Sequence, residues 1–177
     1  MARHVAFLRG INVGGRKATG DQLRAPFEEL GLEDVATFRA SGNVVFSAPR
    51  KVDAAQIERG LKKSLGYEVA TFVRTAAEIR AIAGHEPFDA PRVKATKGKL
   101  QVALLPGKPT AQARKKMLGL QSEDDLFAIR GRELYWLPSG GLMQSAVGMG
   151  GITAVLGSNT VRTKGTIDQI ASKYLAD

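Results

Sequence analysis

Two ten-residue stretches far apart in the chain, Thr37–Phe46 and Phe127–Trp136, follow one pattern: an apolar run, a cation, a glycine and a second apolar run. Each is preceded by a strand-like segment and a segment with helical spacing, so the chain reads as a weak internal duplication. This restricts the fold sharply. A unit ordered strand, helix, hairpin, helix, strand buries its apolar faces as a split βαβ unit, a four-stranded antiparallel sheet with both helices on one side.

The first half spells out that order. His4–Arg9 is an apolar strand, and Asp21–Leu30 spaces Leu23, Phe27 and Leu30 for a helix that Gly31 ends. Pro26 falls inside it, where an interior proline costs about 3 kcal/mol. Val35–Ala40 and Val44–Ala48 read as strands joined by Ser41-Gly42-Asn43, with Gly42 and Asn43 supplying positive φ. Asp53 is a helix N-cap, Ile57, Leu61 and Leu65 form the apolar stripe, Gly66 closes it, and Val69–Arg74 returns as a strand.

The capping box from Thr75 to Glu78 opens a short helix ending near Gly84. Residues 85–98 read as a crossing segment. Leu100–Leu105 is a strand, Thr110–Leu118 a helix, and Leu126–Arg130 with Glu133–Leu137 a hairpin around Gly131. The glycine-rich stretch Ser139–Gly151 reads as a mobile surface loop, since Gly148, Gly150 and Gly151 miss the dinucleotide-binding pattern where Thr153 stands for its third glycine. Ile152–Leu156 is a short apolar run, and the last helix carries Ile167, Ile170 and Tyr174, with Thr166 and Gln169 as its capping box. The expected fold is α+β: two ferredoxin-like subdomains, residues 1–84 and 85–177, either side by side or intertwined, the second with an irregular last strand.

Crossover handedness places the chemistry. A right-handed first crossover makes the second strand parallel to the first with the third between them, so the exit of strand one and the turn between strands two and three share an edge. The exit, Arg9 to Lys17, joins three cations to Gly10, Gly14 and Gly15, and Asn12, Ser41 and Asn43 add neutral hydrogen-bonding groups. Backbone N–H groups freed by glycines, beside positive charge, suit a phosphate or carboxylate. The candidate ligand-binding residues are therefore Arg9, Gly10, Asn12, Gly14, Gly15, Arg16, Lys17, Ser41, Gly42 and Asn43. Arg162 and Lys164, ahead of the final helix, form a second candidate anion pocket against the plainer reading of a helix cap. The loop is a near miss for a Walker loop, because Arg16-Lys17 replaces the Lys-Ser/Thr pair. In the second half, the same geometry sets Pro106-Gly107-Lys108 beside Arg130-Gly131-Arg132.

Charge is unevenly divided. Residues 1–90 hold 13 Lys and Arg against 11 Asp and Glu, a net of +2, which leaves +7 of the total +9 for residues 91–177. From Ala90 to Ser122 there is no acid, while Arg92, Lys94, Lys97, Lys99, Lys108, Arg114, Lys115 and Lys116 all fall there. Such a field favours polyanions such as nucleic acid, or acidic membrane surfaces, or is simply a solvated surface. The chain has no cysteine and only His4 and His85, which removes thiolate chemistry and leaves little for imidazole. No Gly-x-Ser-x-Gly elbow occurs. No cofactor or metal is expected, and a cytoplasmic, non-membrane protein is the default expectation.

The segments Leu8-Arg9-Gly10-Ile11-Asn12-Val13-Gly14-Gly15, Ser41-Gly42-Asn43-Val44-Val45-Phe46, Val73-Arg74-Thr75 and Leu134-Tyr135-Trp136-Leu137-Pro138 resemble the bacterial domain-of-unknown-function family 1697 along nearly the whole chain. The resemblance implies the same two-part α+β architecture and assigns no activity. Near the end the chain departs from the family's Thr-Arg-Asn-x-x-Thr pattern, keeping Arg162 and Thr166 around Thr163-Lys164-Gly165, so no role carries over to that segment.

Two functions follow from the residues, beside the plainer reading of an interaction domain whose charged surface only resists aggregation. One is a binding module for an anionic, phosphate-bearing ligand, nucleic acid included, at the first-loop and hairpin edge. The other is an enzyme acting there on a small phosphorylated or carboxylated metabolite, with Arg9 and Arg16 as electrostatic clamps and Asn12 or Ser41 orienting the substrate. Stacking of RNA on the sheet is disfavoured, because Ser41–Ala48 lacks the aromatics that mode needs.

Overall fold

A computed structural model describes residues 1–39, 42–49 and 51–176. The chain divides into two compact units, one of residues 1–82 with the chain from Ile170 onward, the other Ala83–Gln169.

The first unit runs β1 (Ala2–Leu8), α1 (Gly20–Glu29), β2 (Glu33–Thr37), β3 (Asn43–Ala48), α2 (Ala54–Leu65), β4 (Thr71–Thr75) and α3 (Ala76–Ala83, whose last residue falls in the second unit). Its sheet has the order β2-β3-β1-β4, with every pairing antiparallel, which leaves β2 parallel to β1 across β3. Strand alternation sends Ala6 and Leu8 of β1 and Val44, Phe46 and Ala48 of β3 to the helix-covered face. There they meet Leu23 and Phe27 of α1 and Ile57 and Leu61 of α2, each pair four residues apart on its helix. The alternate residues Val5, Phe7 and Val45 are buried too, so these central strands are covered on both faces and read as continuous apolar runs.

Local chemistry sets the helix ends. Thr19 Oγ1 accepts from Gln22 N while Gln22 Oε1 accepts from Thr19 N, a capping box that starts α1 ahead of Asp21; Pro26 lies in the helix interior. Asp53 caps α2 through Ala55 N at 2.9 Å, and Gly66 closes it with φ +82°. The reciprocal bonds between Thr75 and Glu78 start α3 as the sequence predicts. In the hairpin, Gly42 and Arg39 take positive φ; Asn43 does not, and is already in the strand.

The second unit runs α4 (Ala90–Ala95), β5 (Gln101–Leu104), α5 (Ala111–Leu118), β6 (Asp125–Arg130), β7 (Glu133–Pro138), α6 (Gly148–Leu156), β8 (Thr160–Thr163) and the start of α7 (Lys164–Tyr174). Its sheet order, β6-β7-β5-β8, repeats that of the first with all pairings antiparallel. The protein is thus α+β with two four-stranded antiparallel sheets, each in the strand order of a split βαβ unit.

The stretch Ser139–Gly151 is not a simple loop. It forms a 3-10 turn at Leu142–Gln144 and then enters α6, which occupies the place of α2. Asp125 explains this: its carboxylate accepts from Ser145 Oγ at 2.8 and 2.9 Å and from Trp136 Nε1 at 2.8 Å, while Ser145 Oγ accepts from Gly148 N at 2.9 Å. Burial of Ile152 then offsets the low helix propensity of three glycines. The crossing segment contains α4. It presses on β7, since a Cβ on Gly98 would stand 1.7 Å from Pro138 O. The cap of α7 is Thr163, whose Oγ1 accepts from Thr166 N at 3.1 Å, rather than Thr166 with Gln169.

Candidate functional site

The exit of β1 and the β2–β3 hairpin meet as strand winding requires. Leu8 N donates to Gly42 O at 2.8 Å, and Phe7 stands opposite Asn43. On its other side, Arg9 N donates to Ala70 O at 2.9 Å, tying the loop to the residues that lead into β4.

Support and exposure divide the predicted residues. Gly42 lies beneath the loop with φ +83°, and a Cβ there would come 3.0 Å from Leu8 Cβ and 3.1 Å from Ile11 Cβ. Asn43 is 0 % exposed; its Nδ2 donates to Phe38 O at 2.8 Å and its carbonyl accepts from Phe38 N. Asn12 takes φ +59°, donates its backbone N–H to Arg16 O and accepts from Ala18 N with its side-chain oxygen, so it shapes the loop. Gly14, Gly15 and Lys17 are exposed along the loop. Ser41 lies outside the described residues.

Arg9, Gly10 and Arg16 form one wall of a cleft of about 570 Å³. The opposite wall is α2, where Ala55, Glu58, Arg59 and Lys62 share one face by three- and four-residue spacing, and Glu68, Val69 and Ala70 complete the lining. Hence the loop opens onto α2 and the residues that lead into β4, with Gly42 and Asn43 behind it. Arg59 and Lys62 were not singled out from sequence. The signal lay in Arg59 and Lys62, three residues apart on the face next to the core stripe Ile57–Leu61, but an exposed helix face commonly carries charges.

Four cations and two carboxylates line this cleft. Lys62 Nζ stands 3.2 Å from Glu68 Oε1, an exposed pair that holds each lightly. The Arg16 guanidinium lies 5.0 Å from the centroid of the Tyr67 ring, a cation–π contact that orients it. Burial raises the Glu58 carboxyl above its ordinary value of 4.5; a hydrogen bond from the Thr71 backbone opposes this, and the charges of Asp53 and Glu68 reinforce it. The chemistry available is attraction of an anion by Arg9, Arg16, Arg59 and Lys62, beside a carboxyl that takes up a proton more readily than usual.

Arg162 and Lys164 are not among the cleft-lining residues. Arg162 is 8 % exposed on β8 and donates from Nη1 to Thr160 Oγ1 at 2.8 Å and to Val161 O at 3.0 Å; burial brings its pKa down to about 10. Lys164 donates to Ala83 O and pairs with Asp168, both at 2.8 Å. The bonds named here all fall within the second unit.

In that unit the β5 exit and the β6–β7 hairpin come together as expected, with Leu105 N donating to Arg132 O at 2.9 Å and Arg132 Nη1 to Pro106 O at 3.4 Å. His85 stands edge-on to Tyr135 at 4.9 Å between ring centroids. Burial first, then Arg130 and Lys164, lowers the His85 pKa; burial and Glu133 push the Tyr135 hydroxyl up to about 12. Among the described residues, no group of three His, Cys, Asp or Glu side chains is placed to hold a metal ion, and no helix is long and apolar enough to cross a membrane.

The chain is similar in structure to the conserved bacterial protein SP0830 from Streptococcus pneumoniae, with a TM-score of 0.73 at 20% sequence identity over 99% of each chain. At that identity the likeness speaks for the fold alone. No curated protein matches the sequence. The match to a family model extends over residues 1–135, short of the near-whole-chain extent expected from the motifs, but it contains the β1 exit, the hairpin and α2. By that match the chain belongs to the family described as protein of unknown function DUF1697.

Proposed function

We propose that the protein binds a small anionic, phosphate-bearing ligand in the cleft between the β1 exit and α2. The observation that carries this reading is the convergence of Arg9, Arg16, Arg59 and Lys62, from two separate elements, on one concavity. Its volume of about 570 Å³ falls within the range of small-molecule sites. Two carboxylates against four cations leave the cleft net positive, and Arg16 is oriented by Tyr67 before any ligand arrives.

Thermal shift against a panel of inorganic phosphate, nucleoside phosphates and sugar phosphates tests it. A ligand present at about 100 times its Kd stabilises by about 2.7 kcal/mol. The shift should vanish in Arg9→Ala and in Arg59→Ala. If no phosphorylated compound shifts the melting temperature, or if both variants respond like the parent protein, the cleft is not the site.

The raised carboxyl of Glu58 supports a second reading, an enzyme on a small phosphorylated or carboxylated metabolite, because a carboxyl held above its usual range beside cations is what proton transfer calls for. Turnover of a cleft-bound compound that is lost in Glu58→Gln while binding persists would establish it.

A further inference from the structure

The edge of the second unit formed by the β5 exit, the β6–β7 hairpin and α5 carries a concentration of cations that the cleft does not involve. Arg132 Nη1 donates to Pro106 O, which sets the hairpin tip beside Lys108, and Arg114 Nη1 donates to Ile129 O at 3.1 Å, which sets α5 beside the end of β6. Lys108, Arg114, Lys115, Lys116 and Arg130 are exposed. Sequence offers α5 and the preceding loop no acid, and the hairpin's two acids, Asp125 and Glu133, are only 1 % and 8 % exposed. Like charges gathered this way repel one another, and a polyanion relieves that repulsion while releasing its own counterions.

We infer that this edge is a docking surface for nucleic acid, held through the phosphodiester backbone without sequence preference, and separate from the small-ligand cleft. Two observations select this partner and mode. Phe127, Tyr135 and Trp136 of the hairpin are all buried, so no aromatic platform is left for stacking bases, and recognition rests on phosphate contacts alone. An anionic membrane would call for an apolar face beside the cations, whereas α5 buries Met117 and packs Leu118 against the core, leaving its cations as the outer surface.

Fluorescence anisotropy with a labelled mixed-sequence duplex of roughly 20 base pairs, titrated at several salt concentrations, provides the test; four neutralised phosphates correspond to a log–log slope of about −3.6. The triple variant Lys108→Gln, Lys115→Gln, Lys116→Gln should flatten that slope by about 2.7 and weaken binding at least roughly tenfold at low salt. A second duplex of unrelated sequence should bind equally well. The double variant Arg9→Ala, Arg59→Ala should leave duplex binding unchanged, which separates this surface from the cleft. A slope for the unaltered protein shallower than about −1 overturns the inference without recourse to any variant. So does a correctly folded triple variant that binds like the parent, or binding to phosphatidylserine vesicles with none to the duplex.

Discussion

Gly42 O accepts a hydrogen bond from Leu8 N at 2.8 Å, and a side chain on Gly42 would collide with the Cβ atoms of Leu8 and Ile11. The hairpin therefore acts as the floor on which the cationic loop rests. The loop is held from one side by this contact and from the other by Arg9 N on Ala70 O, which aims Arg9 and Arg16 across at α2.

Gly42→Ala should destabilise the first unit by about 2–4 kcal/mol, from strain at positive φ together with overpacking against Leu8 and Ile11. Urea denaturation reads the loss directly. A cost below about 0.5 kcal/mol would mean that the hairpin moves freely away from the loop.

Glu58 makes anion binding in the cleft depend on pH. Its pKa is raised above 4.5, so as pH falls from neutral it is neutralised before an ordinary carboxyl would be, its repulsion of an anion fades and affinity rises. Sulfate, whose charge stays constant in this range, is the appropriate probe. Glu58→Gln should bind sulfate about fivefold more tightly at neutral pH, since a neighbouring unit charge there is worth about 1 kcal/mol, and should lose the pH dependence. Calorimetric titration at two pH values checks both.

His85 should make the second unit less stable in mild acid. Its folded pKa is below its ordinary 6.5, so the unfolded chain takes up the proton first. Its contribution is complete above about pH 6.5 and declines as pH falls through the lowered folded value. The melting temperature of His85→Gln should therefore drop less between neutral pH and mild acid than that of the unaltered protein.

Asp125 joins the hairpin to the start of α6 through Trp136 and Ser145. Asp125→Ala leaves the buried indole N–H without its acceptor and should cost about 2–4 kcal/mol. Trp136 is the chain's single tryptophan, so its fluorescence reports the change locally. An unaltered emission maximum would show that the indole finds another acceptor.

Much of this architecture was legible because its signals are short-range. Asp53, Gly66 and the Thr75–Glu78 box act within four residues of themselves, and each is found at the helix end it marks. Where two local signals compete, the structure takes the other one: Thr163 rather than Thr166 caps α7, and Arg39 rather than Asn43 takes the left-handed conformation. Helix α6 was hidden because glycine lowers intrinsic propensity, and its stability comes from Ser145 bonding to Asp125, twenty residues away.

The alternation of apolar periods and the handedness of a βαβ crossover were enough to bring residues 9–17 beside the hairpin, since both follow from chain chirality and the pairing of backbone groups. Which side of that loop would face open space was beyond them. Gly42 and Asn43 ended up underneath, and Arg59 and Lys62 opposite, because close packing at Leu8 and Ile11 closes one side of the loop while the stripe beside Ile57 and Leu61 on α2 turns out toward the other. Packing of that kind depends on side-chain volumes meeting across distant segments, and no local pattern encodes it.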